Sequence, residues 1–360
     1  MNRQNAWLAG VGLWVWLVLL APSDLTAEPH LSVRTGLRCS QCHVNRTGGG
    51  ARNSFGSMYA QTRLPMWRKA YQGRMLNSFL ALGGNLRVRA TGTPSDSLQR
   101  TSLAVTEASL QLEARVVQDV LTFYLDQSVG PGGASTREAF GLIESLPLEG
   151  YIKAGKFFLP FGMRLIDDDA FIRQRTGFSY RTSDIGLELG IEPGPLSLFA
   201  ALTNGTQGAG ETNSSKQFTT SAALIFRHWR VGGSASFNRG STGRRDVAGG
   251  FAGITFGRFT VLGEADWIFD TPDEGEFLDQ FAAYVEGNFL VTPGLNLKTT
   301  YGFLDPNVDI GENARVRWRF GAEWFPIPFL QVSGFYTLLE DIPQATTDLD
   351  RLSLELHAFF

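Results

Sequence analysis

An all-β fold, an antiparallel transmembrane barrel of about sixteen strands, is predicted for most of this 360-residue chain by three features. The chain is rich in glycine and aromatic residues, with 41 Gly, 27 Phe and 8 Trp. After Met75, short segments alternate apolar and polar residues with a period of two, as β-strands do. The connections between these segments are alternately long and short, which is typical of barrels with long external loops and tight periplasmic turns.

Residues 1–27 are predicted to be a secretory signal peptide. Arg3 supplies a positive charge, residues 6–20 form an uncharged apolar stretch, and Leu25-Thr26-Ala27 offers a cleavage site before Glu28. A helical membrane anchor is the alternative, but the stretch is shorter than the ~20 residues that a span needs. We therefore expect the chain to be exported.

Residues 28–75 are predicted to be a small, loop-rich cytochrome c module with one haem. The only two cysteines of the chain lie in Cys39-Ser40-Gln41-Cys42-His43. In a C-x-x-C-H sequence both thiols bond covalently to haem and the histidine binds its iron. A redox disulfide and a zinc site are the alternatives, but no thioredoxin-like pattern and no further cysteine or paired histidine accompany the motif. We expect one covalent haem c, with Cys39, Cys42 and His43 as its binding residues.

The second axial ligand of the haem iron is not fixed by the sequence. Met58 is our first candidate, because a c-type module often supplies a thioether downstream of the histidine. Met66, His30 and His357 are alternatives, and so is an open coordination position.

Charge separates the module from the rest of the chain. Residues 28–75 carry eight basic residues and one acidic residue, whereas residues 76–360 carry 23 basic and 33 acidic residues. The net charges of +7 and −10 favour docking of the module against the barrel. A 48-residue module is also too small to bury a haem alone, so the barrel is expected to complete the site, with the module as a plug.

The predicted barrel, residues 76–360, is divided into sixteen strands. They are expected to start near residues 77, 102, 119, 136, 149, 184, 195, 217, 229, 246, 258, 278, 294, 313, 328 and 349. An even strand count places both chain ends on one side, the periplasm, so the module is expected in the lumen or at the periplasmic mouth. The long connections include 240–245, and the short ones include 228–230 and 292–294.

The last strand illustrates the face pattern of the barrel wall. Leu352, Leu354 and Leu356 share one face, while Glu355 and His357 share the other. In a membrane barrel the apolar face contacts lipid and the polar face lines the lumen. Aromatic residues near strand ends are expected in the girdle at the membrane surface: Trp229, Trp267, Trp318, Trp324, Phe325 and Phe329.

The longest connection, residues 162–182, is a candidate constriction that folds into the pore. Its carboxylates, Asp167, Asp168 and Asp169, would attract a cation, and Arg173 and Arg175 would line an anion path. The alternative is an ordinary solvated loop. No catalytic triad, acid/base pair or nucleotide loop is recognisable, so no catalytic residue is assigned and no nucleic-acid partner is expected.

The stretch from Arg34 to His43, followed by Phe55-Gly56, resembles the N-terminal module of fused monohaem cytochrome–porins, such as the outer-membrane iron oxidases of iron-oxidising bacteria. The resemblance implies a bacterial outer-membrane protein that passes electrons through haem c between a periplasmic c-type cytochrome and an external donor or acceptor. The chain departs from the iron-oxidase pattern at residues 48–50 and 62–65, and iron, as a metal ion or mineral, is one candidate for the external partner. If iron is the donor, the chain is an Fe(II)-oxidising oxidoreductase.

A second, weaker resemblance lies in the barrel. Residues 151–162, YIKAGKFFLPFG, are similar to a stretch of the phosphate-selective porin family. Because one barrel scaffold serves many solutes, phosphate specificity does not follow. The sequence thus predicts electron transfer across the outer membrane, with a diffusion porin whose haem module is a plug or sensor as the alternative.

Overall fold

Sixteen antiparallel strands form a closed barrel in the computed structural model, which describes residues 28–73, 76–77, 79–93, 100–130, 132–211, 213–342 and 349–360. Each strand pairs with its neighbours in sequence, and β1 pairs with β16 to close the sheet. This architecture confirms the predicted fold. The predicted signal peptide, residues 1–27, lies outside the described residues. None of the described helices is long and apolar enough to cross a membrane.

The strands begin within three residues of the predicted positions. Their bounds are β1 Leu80–Thr93, β2 Arg100–Val117, β3 Leu121–Gly130, β4 Ser135–Leu146, β5 Gly150–Phe157, β6 Asp184–Ile191, β7 Leu196–Thr203, β8 Gln217–Ile225, β9 Trp229–Arg239, β10 Gly243–Phe256, β11 Phe259–Pro272, β12 Leu278–Thr292, β13 Leu295–Asp305, β14 Ala314–Trp324, β15 Leu330–Ile342 and β16 Leu349–Phe359.

The outer surface of the barrel is apolar because alternate residues of each strand point away from the lumen. In β16, Leu352 and Leu354 are exposed on the outside, whereas Glu355 and His357 are buried on the inside. The same arrangement recurs around the wall, where exposed apolar side chains include Leu103, Leu110, Phe123, Leu187, Leu202, Phe218, Val231, Ile254, Val285, Leu297 and Phe320. A continuous apolar surface of this kind suits contact with lipid.

One connection is shorter than the sequence suggested. We expected residues 240–245 to form a long loop, but β10 begins at Gly243 and leaves only residues 240–242 between β9 and β10. The two strands stay paired up to this turn, since Arg239 lies opposite Arg244 and the Gly240 N–H donates to the Gly243 carbonyl at 2.8 Å.

The aromatic girdle also needs correction at two positions. Trp229, Trp267 and Trp318 are exposed on the outer surface, as a girdle requires. Phe325 is instead buried and packs with Leu64 of the N-terminal segment, and the partly buried Phe329 packs against the same cluster. Both residues lie in the β14–β15 turn, at the end of the lumen that the N-terminal residues occupy.

The N-terminal segment lies inside the barrel at the end that carries the short turns. It contains three short helices, α1 Pro29–Thr35, α2 Cys39–Cys42 and α3 Ser54–Thr62. The helix α1 packs against β9, β10 and β11. Further along, the N–H groups of Met66 and Trp67 donate to the carbonyls of Phe325 and Pro326, at 2.8 and 2.9 Å, in the β14–β15 turn.

The connection between β5 and β6, residues 158–183, also enters the lumen. It contains a fourth helix, α4 Phe171–Thr176, which packs on the inner surfaces of β11, β12 and β13. The lumen is therefore occupied from two sides, by the N-terminal segment and by this inward loop.

A candidate cofactor cavity and a luminal passage

Local hydrogen bonds fix the shape of the cysteine motif. The side chain of Gln41 accepts from the Arg38 N–H at 2.9 Å, and the His43 N–H donates to the Cys39 carbonyl at 2.9 Å. Asn53 begins α3 and accepts from the Gly56 N–H at 2.9 Å. Gly56 has no side chain to fit here: a Cβ atom would lie 2.0 Å from the Cys42 carbonyl oxygen. Glycine thus allows α2 and α3 to touch.

Cys39, Cys42 and His43 together line a cavity, which we call the cofactor cavity, with about 1170 Å³ of empty space. The module contributes one wall and the barrel the other, through residues that include Pro160, Phe161, Met163, Arg164, Tyr180, Phe199, Arg230 and Phe251. Cavities that bind small molecules and cofactors commonly have mainly apolar walls and a few polar groups. The lining of this cavity follows the same pattern and therefore suits a large planar cofactor.

The residues of the motif fit a covalent haem. Both cysteines are free thiols, as covalent attachment to a haem requires. The Nδ1 atom of His43 is buried without a hydrogen-bond partner among the described residues. Gly48, with φ +97°, lies so close to the Cys39 sulfur that a Cβ atom would come within 3.1 Å of it. The three side chains therefore face one space.

The protonation of the motif also suits a haem ligand. Burial, followed by the nearby Arg52 charge, lowers the pKa of His43 to about 4. The imidazole is therefore neutral at pH 7 and keeps a free lone pair for a metal. Burial raises the pKa of Cys39, and burial with the neighbouring Cys39 raises the pKa of Cys42 to about 11, so both thiols are protonated at neutral pH.

Ion pairs join the basic module to the acidic barrel. Arg46 pairs with Glu144 and Glu192, both at 2.9 Å, and Arg38 pairs with Glu149 at 2.7 Å. These glutamates lie at the short-turn end of the barrel. The positive module and the negative barrel are thus joined by specific ion pairs.

A buried polar network lies directly behind the motif. Asn45 donates to Glu138 at 2.6 Å and accepts from Lys153 at 3.0 Å. Lys153 also pairs with Glu188 at 2.7 Å, and both side chains are fully buried. The network connects the module to β4, β5 and β6. Asn45 was not predicted as a site residue, although its position two residues after His43 places it next to the motif.

The three acidic residues of the inward loop are each paired with an arginine. Asp167 contacts Arg317 at 2.7 Å and Arg319 at 3.1 Å. Burial would raise the pKa of Asp167, but Arg319 and Arg317 outweigh it and hold this pKa below its usual range. Asp168 pairs with Arg181 at 2.9 Å, and Asp169 with Arg351 at 3.5 Å. Because each carboxylate has a cationic partner, the cluster offers less to a free cation than the sequence suggests.

The two arginines that we expected along an anion path hold the loop instead. Arg173 is buried and forms an ion pair with Glu264 of β11. The main-chain carbonyl of Arg175 accepts from Arg245 of β10. Neither arginine side chain lines the cofactor cavity or the passage described below.

The predicted candidates for the second axial ligand do not line the cofactor cavity. Met58 is on the outer side of α3 and is 36 % exposed, whereas Gly56 and Tyr59 of the same helix line the cavity. Met66 sits at the β14–β15 turn. His30 lies beside Glu28, and His357 is held by Gln331 and Asn85 at 3.1 and 3.0 Å. Met163 does line the cavity; sequence analysis missed it, and no local motif marks it.

A second space, which we call the luminal passage, contains about 2050 Å³ and extends along the lumen. Its lining reaches from Gly130 and Ser135, at the long-loop end, to Phe325 and Phe359, at the short-turn end. The passage shares Glu28, Pro29, His43, Gly49, Arg164 and Tyr180 with the cofactor cavity. Its other acidic, basic and histidine lining residues are Arg52, Arg87, Arg89, Glu107, Arg137, Asp167, Asp168, Asp169, Arg181 and His357.

Comparison with known proteins places the barrel among porin folds. No protein-family model and no curated protein sequence matches the chain. Solved structures do match. The anion-selective porin from Comamonas acidovorans has a TM-score of 0.64 at 10 % identity, over 78 % of this chain and 99 % of its own.

Two further structures give the same result. A trimeric form of OmpT, an outer membrane protein of Vibrio cholerae, has a TM-score of 0.63 at 10 % identity, over 78 % of this chain and 99 % of its own. The outer membrane channel DcaP of Acinetobacter baumannii has a TM-score of 0.59 at 13 % identity, over 78 % and 97 %. At such low identity the similarity establishes the fold: this chain has a porin-like, sixteen-stranded barrel.

Proposed function

We propose that the chain is a bacterial outer-membrane porin-type barrel whose lumen holds a plug that carries one haem c. The apolar outer surface and the similarity to porins support the membrane location. The short-turn end, where the module and the C-terminal residue lie, is assigned to the periplasm. The haem would be bound through Cys39, Cys42 and His43.

Passage of small ions or solutes is the function that the comparisons favour. The similar structures are those of a porin, an outer membrane protein and an outer membrane channel. The observation that carries this function is the luminal passage, whose lining extends from the long-loop end to the short-turn end beside the module. The module then narrows the pore without closing it, as a plug or sensor.

Electron transfer is a second candidate, and a specific observation favours it. The cofactor cavity that contains Cys39, Cys42 and His43 shares a wall with the luminal passage. A haem c supplies one-electron chemistry when bound. Small redox partners from outside would reach its edge through the passage, while the module faces periplasmic cytochromes at the other end. The residues of this chain bind and orient the group, and the barrel shields it from lipid.

Reconstitution tests both functions on the same preparation. We expect ion conductance in planar bilayers from the wild-type protein and from a Cys39→Ala, Cys42→Ala variant, since neither thiol is needed for the passage. We expect a covalent haem stain only in the wild type. With a reductant added outside the liposomes, we expect reduction of an acceptor trapped inside only when the haem is present.

Ser40→Ala is the matched control within the motif and should retain haem. A wild-type protein that is exported with a cytochrome c maturation system but carries no covalent haem would contradict the cofactor assignment. A sealed barrel without conductance would contradict solute passage, and equal acceptor reduction with and without haem would contradict electron transfer.

A further inference from the structure

The cofactor cavity raises the question of which residue binds the iron opposite His43. The protein ligands used for haem iron are imidazole, thioether, thiolate and phenolate groups. Among the described residues that line this cavity, His43 is the only histidine and Met163 is the only methionine. The described alternatives within the module, His30, Met58 and Met66, do not line it.

Met163 is held firmly at the barrel side of the cavity. It belongs to the inward loop, and its main-chain N–H donates to Glu264 at 2.6 Å. The preceding residue, Gly162, donates its N–H to the Ser234 hydroxyl at 2.9 Å. Glu264 is also the partner of Arg173. Two barrel strands, β9 and β11, therefore fix the backbone from which this side chain extends.

The surroundings of Met163 suit a sulfur ligand. Its side chain is only 4 % exposed and belongs to an apolar cluster with Phe161 and Val33. Val33 comes from the module and the other two residues come from the inward loop, so the cluster lies where the two meet. A thioether is a soft, neutral ligand, and the apolar cluster around Met163 is compatible with a bond from its sulfur to iron.

We propose that Met163, carried by the inward loop of the barrel, is the second axial ligand of the haem held by Cys39, Cys42 and His43. This inference rests on the proposed haem attachment. It means that the module supplies the covalent bonds and one ligand, while the barrel supplies the other ligand. The haem would then fasten the plug to the barrel wall, and a module without its own second ligand would be complete only inside the barrel.

The test uses the full-length protein, matured with haem in a host that exports c-type cytochromes. Met163→Leu removes the sulfur with little change in volume. We expect this variant to keep its covalent haem stain and its heat-resistant barrel, but to lose the low-spin optical and electron paramagnetic resonance signals of the wild type. Met58→Leu is the matched control and should remain low-spin. Tyr180→Phe tests the phenol that also lines the cavity, and it should remain low-spin if Met163 is the ligand. Met163→His should restore a low-spin signal with a lower reduction potential, because imidazole replaces the thioether.

The possible results distinguish failure of the ligand proposal from failure of the haem assignment. Covalent haem with an unchanged low-spin signal and potential in Met163→Leu would overturn the proposal and leave the haem assignment intact. A high-spin wild-type protein would also overturn the proposal. Loss of the low-spin signal in Met58→Leu or Tyr180→Phe alone would do the same. Absence of covalent haem from the wild type would overturn both the ligand proposal and the cofactor assignment.

Discussion

Asn45 joins buried polar groups of the module and the barrel two residues after the predicted haem ligand. Its amide donates to Glu138 and accepts from Lys153, which is fully buried. Replacing Asn45 with a small apolar residue removes one hydrogen-bond partner from Glu138 and one from Lys153. Both groups lie in a region that water does not reach easily. Removing one partner of a buried hydrogen bond costs ~1–3 kcal/mol.

We therefore expect Asn45→Ala to weaken the seating of the module by about 1–3 kcal/mol while the barrel stays folded. The measurement is limited proteolysis of residues 28–73 across a urea series, with heat-modified gel mobility as the check on the barrel. Ser54→Ala, on the exposed side of α3, is the control. Equal protease resistance of the Asn45 variant and the wild type would show that the network does not hold the module.

The sequence identified the motif residues of the cofactor cavity but not their partners. Cys39, Cys42 and His43 are adjacent in the chain, so a short pattern is sufficient to find them. Met163 lies about 120 residues after His43 and is brought to the cavity only by the inward loop. Met58 was preferred because it is near in sequence, but the turn of α3 directs it away from the cavity.

At the scale of elements, the strands were predictable because each repeats one simple rule. The period-two alternation that marked β16 in the sequence is the alternation of outward leucines and inward polar residues in the structure. The β9–β10 connection was less predictable, because its glycine-rich and charged composition is typical of a loop while its residues pair as strand. The path of the inward loop is set by contacts with strands that are distant in sequence. The residues of the loop alone therefore do not predict it.

The inward loop depends on one buried ion pair. Arg173 and Glu264 are both almost fully buried, and Glu264 also accepts the Met163 N–H. Breaking a buried pair by removing one partner costs about 3–5 kcal/mol, because the other charge stays behind. We expect Arg173→Met to release residues 158–183, with faster hydrogen exchange in this segment and larger fluctuations of single-channel current.

Two variants make this prediction specific. The double variant Arg173→Met, Glu264→Gln removes the stranded charge and should recover part of the protection. Arg181→Gln disrupts the more exposed pair with Asp168 and should have little effect, since exposed pairs contribute less than about 1 kcal/mol. Wild-type exchange rates in Arg173→Met would show that the helix packing of α4 alone holds the loop.

At the scale of the whole molecule, ion pairs join the positively charged module to the negatively charged barrel. The side chains that line the luminal passage nevertheless keep an excess of positive charge. Arg38 and Arg46 are paired with barrel glutamates, as the opposite net charges of the two parts led us to expect. In the passage, most arginines have a carboxylate partner. Arg52 and Arg164 have none within ion-pair distance among the described residues: Arg52 lies over the Phe359 ring at 4.3 Å, and Arg164 donates to Thr47 and to two main-chain carbonyls.

An excess of fixed positive charge in a narrow pore raises the local concentration of anions. Burial, followed by the nearby Arg87 charge, lowers the pKa of Arg52 only to about 10, so its charge persists at neutral pH. We therefore expect the channel to prefer small anions, and Arg52→Gln with Arg164→Gln to reduce the anion-to-cation permeability ratio by several-fold. The reversal potential under a salt gradient measures this ratio, and the preference should weaken as ionic strength rises.

Arg181→Gln is the control for position, because Arg181 also lines the passage but is paired with Asp168 and mostly exposed. Comparing the same variants with and without covalent haem separates two roles of the arginines. If Arg52 and Arg164 neutralise the acidic side chains of a bound haem, then the anion preference will be weaker in the haem-bearing protein than in the Cys39→Ala, Cys42→Ala variant. An anion preference that is unchanged by the two substitutions in both forms would mean that ions do not pass these side chains, and the luminal passage would not be the conducting path.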